Sequence, residues 1–111
     1  MQIRKTYMEV NPELLYAEIR DFALKQDIDL DESSLETYTQ PDQSADFVSR
    51  GKLTFKCRTG GKTCLQAHIV GTPRAETKLM MDVDEDLFSR DKLSALQGDI
   101  DFIFGSYELK E

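Results

Sequence analysis

The chain has 111 residues, 40% of them apolar and 32% charged, with 21 acids against 14 bases, one His and two Cys. One domain over residues 1–111 is expected, because a chain of this length can bury about two-thirds of its unfolded surface without a staple. A disordered chain, a cysteine scaffold and a large catalytic architecture are excluded, and no run of about 18 apolar residues offers a membrane span.

Gln2 to Val10 reads as a strand, with Thr6, Met8 and Val10 alternating with Lys5, Tyr7 and Glu9, so either face could point inward. Asn11-Pro12 opens a helix expected to reach Gln26, since Asn is a favoured N-cap and Pro suits the first helical position. Leu15, Tyr16, Ile19, Phe22 and Ala23 form its apolar stripe, while Leu14 and Leu24 fall beside it and call for flanking elements to cover them. Asp27 to Glu32 reads as a polar connection, Ser34 to Tyr38 as a short strand, and Gln40 to Ala45, with Pro41 and Asp42, as a loop. Phe47 to Arg58 and Thr63 to Gly71 form a hairpin around Gly60-Gly61. Thr72 to Ala75 turns the chain into a strand over Glu76 to Asp84, with Thr77, Leu79, Met81 and Val83 on one face.

Ser89 caps a last helix expected over 90–110, whose main stripe is Leu93, Leu96, Ile100, Ile103, Phe104 and Tyr107. The order β-α-β-β-β-β-α implies an α+β domain: an antiparallel sheet of about five strands packed on an N-terminal helix and a long C-terminal helix.

The hairpin register follows the buried face. A two-residue loop would mix apolar and polar partners. A three-residue loop pairs Phe55 with Leu65 and Leu53 with Ala67; a four-residue loop pairs Phe55 with Ala67 and Leu53 with Ile69. With either longer loop, Cys57 is expected on the apolar face and Cys64 on the other, beside His68, so no disulfide joins them. Cys64 and His68 would stand roughly 13 Å apart, beyond nucleophile–base reach.

Charge is segregated. Residues 27–46 carry seven acids and no base, and residues 47–75 carry six bases and no acid. Arg50, Lys52, Lys56 and Arg58 alternate along one strand, with Gln66 and His68 on the partner: a candidate anion face, or a solvated face balanced by the acidic segments. No aromatic interleaves these cations, and the net charge of −7 argues against nucleic acid or an anionic membrane. Asp27, Asp29, Asp31 and Asp82, Asp84, Asp86 imitate calcium-loop openings, but the positions needing Gly and Glu hold Glu32 and Tyr38, or Leu87 and Leu93. No metal or cofactor is expected. A second stripe on the last helix, Gly98, Phe102, Gly105 and Leu109, offers an interface with a second copy or another protein or the wall of an internal cavity, or else lies buried within the monomer.

Val10-Asn11-Pro12-Glu13, ending a strand, followed at once by the helix from Leu14 to Phe22, resembles the opening of the START-related helix-grip superfamily. The resemblance implies a sheet curled around a long C-terminal helix, with an apolar small molecule held between them and no universal catalytic residues. Phe47, Leu53, Phe55, Leu65, Ile69, Leu79, Met81 and Ile100 would then line the cavity. With no phosphate loop, nucleophile elbow or paired acid–base carboxylates in the sequence, enzymatic activity is not expected. The leading expectation is a non-enzymatic binding or interaction domain, with an apolar-ligand carrier and an anion or nucleic-acid binder as alternatives. The opening residues lack the apolar stretch of a signal peptide, so a cytoplasmic location is expected.

Overall fold

The computed structural model describes residues 1–39, 47–72 and 74–109; the side chains of Thr39 and Phe47 lie outside that description. The elements are β1 (Gln2–Met8), α1 (Pro12–Leu24), β2 (Ile28–Thr39), β3 (Phe47–Cys57), β4 (Thr63–Gly71), β5 (Glu76–Val83) and α2 (Arg90–Phe104), followed by a short 3-10 turn at Gly105–Tyr107. The expected loop at Gln40 to Ala45, the turn residue Pro73 and the far end of the last helix at Lys110 lie outside the described residues. The fold is α+β, with one antiparallel five-stranded sheet in the order β1-β5-β4-β3-β2.

One face of the sheet and the two helices enclose a single core. Ile3, Met81, Ala67 and Leu53 stand in one row across four strands, and Leu79 and Ile69 in the next. Over them lie the α1 stripe (Leu15, Tyr16, Ile19, Phe22, Ala23) and Leu93, Leu96, Ile100 and Phe104 of α2. Asn11 caps α1 by accepting from the Glu13 N–H, and the Ser89 hydroxyl caps α2 by accepting from the Lys92 N–H. The inward face of β1 carries Ile3, Lys5 and Tyr7. Lys5 is tolerated there because its ammonium meets Asp101 of α2 at 2.9 Å and Glu108 at 3.3 Å. The Tyr7 ring meets Phe104 edge-on, 6.1 Å between centroids.

Several expectations are corrected. The segment from Asp27 to Glu32 is mostly strand, not a connection: β2 begins at Ile28. Its acids stand opposite the cations of β3, and the pairs Glu32–Lys52, Asp31–Lys56 and Asp29–Arg58 replace the apolar alternation that usually marks a strand. The last helix stops at Phe104, where the chain tightens into the 3-10 turn and its tail runs back to β1. There Glu108 bridges Tyr7, and the Leu109 N–H donates to the Thr6 carbonyl at 2.7 Å. Ile103 and Tyr107 are therefore exposed rather than part of the buried stripe, and Leu14 and Leu24 are not covered.

The hairpin takes the register that pairs Phe55 with Leu65 and Leu53 with Ala67, and both Gly60 and Gly61 have positive φ in its turn. A bulge follows: Lys56 pairs with Thr63, leaving Cys64 as the extra residue. That extra residue turns Cys64 into the core, 1% exposed, not onto the outer face beside His68.

Candidate binding surfaces

The outer face of the sheet bears the expected cationic row. In the register, Lys52 stands beside His68 and Thr54 beside Gln66, as the alternation implies. The acids of β2 neutralise much of it. Arg58 meets Asp29 at 3.2 Å and Asp27 at 3.5 Å, while Lys52 and Lys56 reach Glu32 and Asp31 at 3.9 Å. Of the cations proposed from β3, Arg50 alone has no ion pair among the described residues.

The sheet order adds two cations that the hairpin alone could not suggest. Arg4 of β1 stands beside Met80 of β5, which stands beside His68 of β4, which stands beside Lys52. In the next row, Thr6, Lys78, Val70 and Arg50 cross the same four strands. A shallow depression of about 620 Å³ opens here, lined by Arg4, Thr6, His68, Val70, Lys78 and Met80. Neither Arg4 nor Lys78 has an ion pair among the described residues. Their positions are remote in sequence, so nothing short of the strand order could have joined them to the hairpin.

The second stripe of α2 lies on the surface. Phe102 is 91% exposed, and a Cβ built on Gly98 would meet nothing within 4 Å. Leu109 is exposed, Gly105 half-buried, and Ile103 and Tyr107 add apolar area in the same eight residues of chain. Burial of both helix sides inside the monomer is thereby overturned.

The residues expected to line an apolar cavity are instead mutually packed. Leu53, Phe55, Leu65, Ile69, Leu79, Met81 and Ile100 are each at most 1% exposed and belong to one core cluster. The Phe47 side chain lies outside the described residues.

The cysteines are free thiols. Cys64 Sγ donates to the Phe55 carbonyl at 3.7 Å and Cys57 Sγ to the Leu87 carbonyl at 3.8 Å. Burial first, and then the neighbouring Cys57 and Asp84, push the Cys64 thiol up to about 11. Such a thiol is a poor nucleophile, because little thiolate exists at neutral pH. The expectation that the two cysteines face opposite ways is corrected by the bulge.

Near α2, burial alone would lower the Lys5 ammonium, but the hydrogen bonds and charges of Asp101 and Glu108 outweigh it and raise the value. The Tyr7 hydroxyl is raised by burial and then by the same two carboxylates, and it has no hydrogen-bond partner among the described residues. Among the described residues no group of three His, Cys, Asp or Glu side chains converges to hold a metal, and no helix is long and apolar enough to cross a membrane. No family model matches the chain, and no curated protein matches it in sequence.

Proposed function

We propose that the protein is a non-enzymatic binding domain that pairs with a second copy of itself through the C-terminal end of α2. One observation carries this reading: Phe102 projects into solvent, 91% exposed, on the same stripe as Gly98 and Gly105. A projecting ring and adjacent gaps on one stripe are self-complementary. A two-fold axis sets each ring into the other copy's gap, as an isologous contact requires. Burying such a ring contributes about 2–3 kcal/mol. The non-enzymatic reading is supported by Cys64 and His68 lying on opposite faces of the sheet, with the thiol held protonated by burial. Free cysteines support a reducing compartment, hence the cytoplasm.

The helix-grip relationship is supported by two helices lying on one face of an antiparallel sheet. A carrier in that mould needs room between the layers, and the packed seven-residue set fills the place where its cargo would lie.

Sedimentation across a range of protein concentrations tests the pairing. A reversible dimer is expected, weakened about 30-fold or more by Phe102→Ser, as for a central aromatic contact. Gly98→Leu, which fills the gap without touching the core, should weaken it too. A monomer at every concentration overturns the reading, as does a dimer indifferent to both substitutions.

A further inference from the structure

The outer face of the sheet, opposite the helices and independent of the pairing at α2, holds a second site. We propose that the depression between Arg4, His68 and Lys78 binds a small organic phosphate, its anionic head between Arg4 and Lys78 and its apolar body over Val70 and Met80.

The argument begins with the rows. Adjacent strands lie about 4.8 Å apart and residues two apart along a strand about 6.7 Å. Arg4, His68 and Lys52 in one row and Lys78 and Arg50 in the next therefore crowd a field of about 14 by 7 Å. Toward β2, cations are matched by acids of the neighbouring strand, as Lys52, Lys56 and Arg58 are. Here Arg4 and Lys78 have no ion pair within 4 Å among the described residues and no acid directly opposite them, and Arg50, though Glu36 stands opposite it, has no ion pair within 4 Å among them either. Unmatched like charges repel one another, and an anion placed between them removes that repulsion. Arginine supplies a planar fork of donors suited to phosphate oxygens, and lysine adds a point charge.

The floor narrows the ligand. Val70 and Met80 are half-buried, and the Gln2 side-chain amide donates to Met80 Sδ at 3.4 Å, which holds the thioether in place. An inorganic ion would leave this apolar floor unused. The margins narrow it further. Glu76 and Asp82 close the field along β5, and Glu36 stands opposite Arg50 on β2. A polyanion would have to run across these carboxylates, whereas a small ligand stays inside them. With a Debye length of about 8 Å at physiological salt, the acids elsewhere on this chain of net charge −7 are screened from the field.

His68, the only histidine, lines the depression and reports on it. Its ring-proton resonances, followed by NMR during titration with phenyl phosphate, provide the test. Saturable shifts with a Kd of about 1 mM or tighter are expected. Arg4→Gln and Lys78→Gln should each weaken binding about tenfold, the loss of one charge-assisted contact. Arg20→Gln, an equal change of charge on α1, should leave it unchanged. No saturable shift at about 10 mM in the folded protein overturns the site. So does equal weakening by all three variants, which would mean net charge and not place. Inorganic phosphate binding as tightly as phenyl phosphate overturns the role of the apolar floor. Tighter binding of a short single-stranded DNA overturns the small-ligand assignment in favour of nucleic acid.

Discussion

Gly71, the last residue of β4, is the position where the packing argument is sharpest. It pairs with Thr77 across the tight connection to β5, and a Cβ added there would lie 2.5 Å from the Thr77 Cα and collide with the Thr77 hydroxyl. Carbon atoms settle about 3.5–4.0 Å apart, so the two strands must part by about 1 Å or more. They are not free to do so. The Thr77 side chain is fully buried and donates at 2.7 Å to the Val10 carbonyl, which ties β5 to the start of α1. Gly71→Ala is thus expected to cost about 2–3 kcal/mol, the range for overpacking a closed site. In a domain of this size that lowers the melting temperature by about 10–20 °C. Urea unfolding followed by circular dichroism measures it directly. Gly98→Ala provides the contrast, because it replaces an exposed helical glycine with open space around it and favours the helix by roughly 1 kcal/mol. A Gly71→Ala protein within about 0.5 kcal/mol of the parent would refute the reasoning, since surface-like tolerance there means that the strands can part freely.

Two further outcomes follow from buried polar groups. Tyr7→Phe removes a hydroxyl that is buried without a partner among the described residues, so thermal unfolding should show a gain of about 1 kcal/mol or more; a loss would mean that the hydroxyl is satisfied after all. Cys64, raised to about 11 in the folded protein, stays protonated where the unfolded thiol ionises near 9. The unfolded state then binds fewer protons, so the stability this thiol contributes is intact below about pH 9 and fades as pH rises toward 11. A fade of about 2–3 kcal/mol is expected, and Cys64→Ala should flatten that part of the unfolding-versus-pH curve; an unchanged slope would contradict it.

What the sequence revealed depended on whether a residue's partner was near it in the chain. The β3–β4 hairpin was legible down to a choice of two registers, because both strands alternate and one short turn joins them, and the fold selects the one that pairs Phe55 with Leu65 and Leu53 with Ala67. The stripe of α1 was legible for the same reason: every member lies within three turns of the others. By contrast β2 was half hidden. Its acids look like a solvated connection until Lys52, Lys56 and Arg58 are set against them, and then they read as the cross-strand partners that hold an edge strand in register. Cys64 was misplaced by one bulge, since a single extra residue reverses the face of the residue it inserts.

The same distinction separates the two surfaces. The stripe of Gly98 and Phe102 lies on one helix, so its spacing was visible in the chain and only its exposure awaited the fold. The phosphate site has no linear trace. Arg4 and Lys78 are 74 positions apart and acquire a shared meaning only because β1 returns to pair with β5 rather than with β2. That closing pair is held from the other side by Lys5 with Asp101 and Glu108, and by the tail that donates from Leu109 to Thr6. The α2 tail therefore fixes, through the edge strand it covers, the position of an arginine on the opposite face of the sheet. Loosening the tail should disturb Arg4 before it disturbs Arg50, which sits on β3 between two strands and is held from both sides.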